Sequence, residues 1–256
     1  MSPIIVIPAR LAATRLPDKP LADIRGAPMI VHVWRRAVEA DIGPVVVACD
    51  AASIRQAIEA AGGVAVQTDS DLPSGSDRVW QAVTRHGPAA GHDVIVNLQG
   101  DLPTMDPAGL RAALAPLSDP NVDIATIAAP ITAAHERHDP NVVKVAALFD
   151  ETAGTGDQAA CARALYFSRC AVPWDGGDAG RPLYHHIGVY AYRRPALERF
   201  VSLPPGRLEV RERLEQLRAL EAGQRIDVAR VDTIPLGVDT PSDLTRARQI
   251  LADRTS

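Results

Sequence analysis

Short unbroken apolar blocks alternate along this chain with longer stretches whose apolar positions recur every three or four residues. Ile4 to Ile7, Pro44 to Cys49, Val64 to Gln67 and Asp93 to Leu98 are the blocks. Pro28 to Ala40, Ala51 to Ala61, Ser76 to Arg85 and Met105 to Leu114 carry the helical period. In the first of these, Ile30, Val33, Trp34, Ala37 and Val38 form the apolar stripe, and Pro28 suits a first turn. Gly62-Gly63 stops the second, and Ser74 or Ser76 caps the third. Strands apolar on both faces, separated by helices, predict a parallel sheet covered on both sides. The loops at the carboxyl ends of such strands are where a ligand sits.

The pattern changes past residue 115. Val122 to Ala129, Val142 to Leu148, Ala162 to Phe167 and Ile187 to Tyr192 read as strands. Residues 150 to 160 read as a hairpin or surface loop, and 173 to 186 as a loop rich in Gly, Pro and Asp. Helical signal returns at Pro195 to Val201 and Arg211 to Glu221; a strand follows near Ile226 to Val231, and a last helix begins at about Pro241. The expected organisation is one domain over residues 1–256 with a β-rich insertion at about 160–210.

Composition narrows the class. With 256 residues the chain can bury a sizeable core without staples. Its net charge of −4 argues against binding nucleic acid or a membrane surface through bulk charge, so cations for an anionic substrate must be local. The 3 cysteines, Cys49, Cys161 and Cys170, lack metal spacing and are expected as buried, reduced thiols. Arg10 comes too early for a signal peptide, and no apolar run nears the roughly 20 residues of a membrane span, so the expected location is cytoplasmic.

Local cations do occur. Arg10, Arg15 and Lys19, with Pro17 and Pro20 between and beside them, follow the first strand. Held there, they suit a di- or triphosphate, Arg through paired contacts and Lys as a point charge; a solvated basic turn is the plain alternative. Neither GxxxxGK[ST] nor a strand followed by GxGxxG is present, which disfavours a P-loop enzyme and a nicotinamide dehydrogenase. Gln99-Gly100-Asp101 ends the strand VIVNL and sets a carboxylate at the sheet edge, where a magnesium ion bridging phosphates or a capped turn would use it. Asp239, before the last helix, is a cap or the second metal carboxylate. In Ser74-Gly75-Ser76-Asp77-Arg78, Gly75 allows close backbone approach and Arg78 adds a cation, or the segment is merely a helix start.

The segments IPARLAATRLPDKPLADIRGAPMI, PSGSDR, VNLQGD, ALYFSR, HIGVYAYR, LEVRERLEQLR and GVDTPSDL occur in this order. Together, from about residue 4 to 245, they closely resemble the 3-deoxy-manno-octulosonate (Kdo) cytidylyltransferases, or CMP-Kdo synthetases. The resemblance implies a three-layer α/β nucleotidyltransferase fold, Rossmann-like, with a mixed, mostly parallel sheet and a small β-rich element used in a homodimer. It implies formation of CMP-Kdo and pyrophosphate from CTP and Kdo with Mg2+, for lipopolysaccharide synthesis. The choice of CTP comes from the resemblance alone. By position, Ala9, Arg10, Arg15, Lys19, Ser74, Gly75, Arg78 and Gln99 match nucleotide-binding residues. Asp101 and Asp239 match the metal carboxylates, and with Arg15 and Lys19 make the catalytic set. Arg169, His186, Tyr190, Glu209, Glu212 and Gln216 match the sugar-acid pocket, with Arg169 the cation for the acid's carboxylate.

The chain departs from the family pattern in places. Asp18 stands where Gly is usual in the phosphate loop, and is expected to point outward because Asp tolerates turn geometry. Leu102 replaces a Glu beside Asp101, Ser76-Asp77 replaces a Thr-acid pair, and Leu72-Pro73 stands where a His is common. The expected chemistry is in-line attack of the sugar's 2-hydroxyl on the α-phosphorus of CTP. The alternatives are another 2-keto sugar acid, such as an 8-amino Kdo or a sialic acid, and a non-catalytic nucleotide-binding protein on the same fold.

Overall fold

The computed structural model describes residues 1–12, 15–150, 159–175 and 182–253. The chain divides into two compact units, Met1–Leu110 with Pro235–Ser256, and Arg111–Ile234. The second unit takes in the whole 160–210 segment.

In the first unit, β1 (Pro3–Ala9) leads through a small antiparallel ladder, β2 (Asp23–Ile24) with β3 (Ala27–Pro28), into α1 (Met29–Glu39). Then come β4 (Val45–Cys49), α2 (Ala52–Ala60), β5 (Val64–Gln67), α3 (Gly75–Arg85) and β6 (Val94–Asn97), and the short α4 (Pro107–Ala112) begins in this unit and ends two residues past its boundary. The strand order is β5-β4-β1-β6, all parallel. β1 is central: Ile4, Ile5, Val6 and Ile7 are fully buried, as both-face burial requires. The chain first moves outward from β1 to β4 and β5, then returns to the other side of β1 at β6. That reversal is a topological switch point, and the crevice at the strands' carboxyl ends beside it is the place for a ligand.

Register fixes which residues meet there. Ala9 pairs with Cys49, and Val6 with Asn97. The backbone therefore delivers Arg10, Asp50 and Gln99-Gly100-Asp101 to one edge. Gly100 is needed at that edge, since a Cβ on it would stand 2.6 Å from the Pro8 carbonyl oxygen.

The C-terminal helix, Pro241–Asp253, belongs to the same unit. Its Leu244 and Ala247 pack with Val238, Ile24 and Met29, and Leu16, Ala22, Leu236 and Leu251 close around them. This small core binds the chain's last segment to the loop that follows β1.

The second unit is built on β7 (Ile124–Pro130), β8 (Lys144–Ala146), β9 (Cys161–Arg163), β10 (Tyr166–Ser168), β11 (Tyr184–Arg193) and β12 (Ile226–Arg230). Its order is β11-β7-β12-β9; β7 and β12 are parallel, while β11 and β9 are antiparallel to their neighbours. β8 joins β10 and β11, antiparallel to both. Helices α5 (Arg194–Ser202), α6 (Arg207–Glu212) and α7 (Leu217–Glu221) complete it.

Several expectations need correction. The helix expected over 105–114 is only α4, because Pro107 can stand only in a first turn and the Asp106 side chain caps it by accepting from Ala108 N at 2.9 Å. The strand expected over 162–167 is two, β9 on β12 and β10 on β8, with Ala164 N bonded to Ile226 O and Leu165 N to Ala146 O where the chain changes partner. The helix expected over 211–221 breaks at Arg213, which has φ 55°, a left-handed conformation that ends α6. Cys49 is buried as expected, whereas Cys161 and Cys170 are exposed because both lie near strand ends. Residues 151–158 and 176–181 of the two expected loops lie outside the described residues.

Gly100→Ala should cost about 1–3 kcal/mol, since the clash is with main chain that cannot rotate away. Urea unfolding of the variant against the wild type measures it.

Candidate active site

A cleft of about 330 Å3 opens at the carboxyl edge of the first unit's sheet. That is the size of a pocket for a small ligand. Pro8, Ala9 and Arg10 line it from the end of β1, Ser74, Gly75 and Arg78 from the start of α3, and Gln99 to Asp101 from the end of β6. Lys19 and Asp239 complete the wall. Three of the four segments read from the sequence thus arrive by the same route, each at the carboxyl end of a parallel strand.

Ser74 caps α3, its hydroxyl oxygen accepting from Asp77 N at 3.2 Å, while Ser76 is buried. The amino end of α3 therefore faces the cleft with its cap made, and Gly75 lies beside Pro8 and Gln99 there. Arg10 forms no ion pair among the described residues. Arg15 does not line the cleft; its exposed guanidinium reaches Asp239 at 3.0 Å.

The centre is Lys19. Its ammonium donates to Asp101 Oδ2 and Asp239 Oδ1, both at 2.9 Å. Burial opposes its charge, but the two carboxylates outweigh that and hold its pKa above the usual lysine value. Neither carboxylate is spent on capping. The C-terminal helix is capped by Thr240, whose hydroxyl accepts from Asp243 N at 3.2 Å, while the Asp243 carboxylate accepts from Thr240 N at 2.9 Å. This reciprocal box satisfies the helix end and leaves Asp239 facing Lys19. Main chain sets the spacing: Val238 N donates to Asp101 O at 2.9 Å, and Leu236 N to Thr104 Oγ1 at 2.8 Å. Leu102, standing where the family pattern has an acid, is buried against Gly237 in the same stretch. Asp18 is exposed at φ 51° and ψ 30°, in the left-handed turn that its Gly counterpart would adopt freely.

The fit for a magnesium ion can be judged from these oxygens. Asp101 and Asp239 converge on one cationic atom, and magnesium takes one or two carboxylates with phosphate oxygens and water. Among the described residues no group of three or more His, Cys, Asp or Glu could form an all-protein cage, so substrate oxygens would have to complete the shell.

The positions expected for the sugar acid all lie in the second unit. Arg169 sends Nε to Glu212 O at 2.8 Å, Nη1 to Pro140 O at 2.9 Å and Nη2 to Arg213 O at 3.2 Å. One N–H on each terminal nitrogen is left over from these bonds. Glu212 accepts from Ser168 Oγ at 3.0 Å and from Arg169 N at 3.1 Å. Glu209 is engaged differently, in a paired bond to Arg218 at 2.6 and 2.7 Å and with Gly206 N at 2.8 Å, the N-terminal box of α6. His186 is bonded to Thr126 Oγ1 at 3.0 Å and lies edge-on to Phe167, with the Tyr190 ring 5.5 Å away. Gln216 is buried, and its Nε2 has no hydrogen-bond partner among the described residues.

The sequence pattern of the cytidylyltransferase family matches residues 4–226. A 3-deoxy-manno-octulosonate cytidylyltransferase of Methylobacterium radiotolerans is 63% identical over 252 residues, 98% of both chains. One from Rhodospirillum centenum is 63% identical over 254 residues, 99% of this chain and 95% of that one. A solved structure of CMP:2-keto-3-deoxy-manno-octonic acid synthetase complexed with CTP superposes with a TM-score of 0.88 at 37% identity, over 99% of this chain and 100% of that chain. The chain belongs to the 3-deoxy-manno-octulosonate cytidylyltransferase family. Its α/β fold is that of the family, a mixed sheet with a further β element.

Within this family's frame, two features escaped the reading of the sequence. The Thr240–Asp243 box is written in Thr-Pro-Ser-Asp, and a search for S/T-x-x-D/E would have freed Asp239 from the capping role at once. Asp50 follows β4 as Asp101 follows β6, and that shared placement was the signal for it.

Burial pushes the His186 imidazole down to about 3 from an ordinary 6.5, with neighbouring His185 adding to the shift. The unfolded chain therefore binds a proton that the folded chain refuses. Stability from this group is complete above about pH 6.5 and is lost as pH falls from there toward about 3. Urea midpoints between pH 7 and pH 4 should fall with pH in the wild type and fall less in His186→Asn.

Proposed function

We infer that this chain transfers CMP from CTP to Kdo, giving CMP-Kdo and pyrophosphate for lipopolysaccharide synthesis. The observation that carries the reading is the Lys19 ammonium bonded to both Asp101 and Asp239 beside a cleft that Arg10 and Arg78 also line. That pattern of converging cation and carboxylates suits a polyphosphate, and the 63% identity to CMP-Kdo-forming relatives supplies base and sugar.

In the reaction the 2-hydroxyl oxygen of Kdo attacks the α-phosphorus of CTP. The bond to the bridging oxygen breaks, pyrophosphate leaves with its electron pair, and the hydroxyl proton is lost. The chain's own part is positioning and charge neutralisation. Lys19 and Arg10 hold the phosphates from the cleft wall, and Arg15, beside it on Asp239, joins Lys19 in stabilising the departing pyrophosphate. The start of α3 and Gln99 take the nucleoside side. Asp101 and Asp239 would hold magnesium. When bound, the ion neutralises phosphate charge and lowers the pKa of the attacking hydroxyl.

The sugar acid falls to the second unit. Gln216 offers a buried amide N–H to a sugar oxygen, and Arg169 has, among the described residues, one unbonded N–H on each terminal nitrogen for a carboxylate. The rival reading, another 2-keto sugar acid, differs only there. We propose a cytoplasmic homodimer joined through the second unit, where Leu148, Leu165 and Trp174 are exposed apolar side chains. Among the described residues no helix is long and apolar enough to cross a membrane.

Pyrophosphate release from CTP should require both Kdo and magnesium, and sialic acid should not replace Kdo. Turnover with a panel of 2-keto sugar acids decides this; no activity with Kdo would remove the assignment. Asp101→Asn should lower kcat by about 100-fold or more, and unchanged CMP-sugar formation would contradict the metal role.

A further inference from the structure

Arg78 lines the cleft yet is almost wholly buried, at 3% exposure. A guanidinium so placed needs its donors met and its charge balanced. Nη1 donates to Thr68 Oγ1 and to Asp69 O, the latter at 3.0 Å. The Asp69 carboxylate is bonded instead to Arg85 and Gln81 and acts on Arg78 only through its charge. Among the described residues the one carboxylate within ion-pair reach of Arg78 is Asp50, with Oδ2 at 3.9 Å from Nη2.

The other Asp50 oxygen does separate work. Oδ1 accepts from Leu11 N at 3.2 Å, at the point where the chain leaves β1 for the cationic loop. Asp50 is itself fixed from behind, since Gln67 Nε2 donates to its carbonyl at 2.7 Å and Thr68 donates to the Cys49 carbonyl from both N and Oγ1. Its side chain is 9% exposed. One largely shielded carboxylate thus lies in ion-pair range of the cleft wall built by α3 and is bonded to the first residue past Arg10.

We propose that Asp50 is a positioning residue for nucleotide binding: it holds the Arg78 guanidinium and the start of the phosphate loop in one register across the cleft. This rests on the reading of the cleft as the CTP site. Asp50 acts through Arg78 and Leu11 and makes no contact with the nucleotide.

Charge alone predicts the opposite outcome. CTP is a polyanion, so removing a carboxylate from beside its site raises the local positive potential and should tighten binding. Loss of register should weaken it. The sign of the change in affinity therefore separates positioning from simple charge balance.

Asp50→Asn is nearly isosteric and keeps an oxygen for Leu11 N–H, while its amide replaces the charge facing Arg78. CTP affinity measured by equilibrium dialysis, and KM for CTP, should both worsen about ten-fold, with the KM for Kdo unchanged. Arg78→Lys should weaken CTP similarly, and the double variant should be no worse than Arg78→Lys alone. Affinity equal to or tighter than wild type in Asp50→Asn, or effects of the two substitutions that multiply, would overturn the proposal. Thermal unfolding checks that the variants are folded. If Asp50→Asn is not, Asp50→Glu replaces it: the charge is kept and moved by one methylene, so weaker CTP binding supports positioning and unchanged binding refutes it. A wild-type chain that binds CTP but makes no CMP-Kdo overturns the sugar assignment and leaves Asp50 testable by dialysis. A wild-type chain that binds no CTP overturns both.

Discussion

Two carboxylates sharing one ammonium are the arrangement that this protein's first unit holds in place. Lys19 comes from the loop after the first strand, Asp101 from the loop after the fourth parallel strand of that sheet, and Asp239 from more than a hundred residues further on. Without the cation, the two acids would face each other across a partly buried gap and repel. With it, they stand ready for whatever other cation a phosphate ligand brings. Every structural decision in the unit can be read as bringing these groups to one place.

The ion pairs cannot hold that arrangement by themselves. The Asp239 side chain is 45% exposed, and pairs so wet contribute little to stability. The backbone and a small apolar core hold it instead. Val238 N on Asp101 O and Leu236 N on Thr104 Oγ1 lay the late segment along the 101–104 turn. Val238, Leu244 and Ala247 then pack with Ile24 and Met29 from the far end of the cationic loop. Burial of apolar surface supplies the free energy, and the charges are positioned by it rather than the reverse.

This division explains how much of the protein was legible in its sequence. Strand–helix alternation is a periodic signal, so the parallel half and the carboxyl-edge placement of Arg10, Gly75 and Asp101 followed from pattern alone. The second unit was harder because its strands change partners within a few residues. Ala164 and Leu165 bond to different neighbours, and no local pattern records that step. The break in the expected helix at Arg213 was hidden for a related reason: a left-handed non-glycine residue leaves no compositional mark. No sequence pattern records that the Glu209 carboxylate is bonded to Arg218 and Gly206, since that pairing forms only when α6 and α7 pack.

The departures from the family pattern sharpen the same point. Asp18 sits in a conformation that an L residue adopts at some cost, yet it is exposed and leaves Lys19 in the short helical turn over Lys19–Leu21. Leu102 takes an acid out of the loop beside Asp101 and places an apolar side chain against Gly237. The loop thereby has one carboxylate fewer beside Asp101 and gains packing on the segment that carries Asp239. A tolerated substitution here is one that preserves the spacing of two carboxylates about one cation, whatever it does to the residues between them.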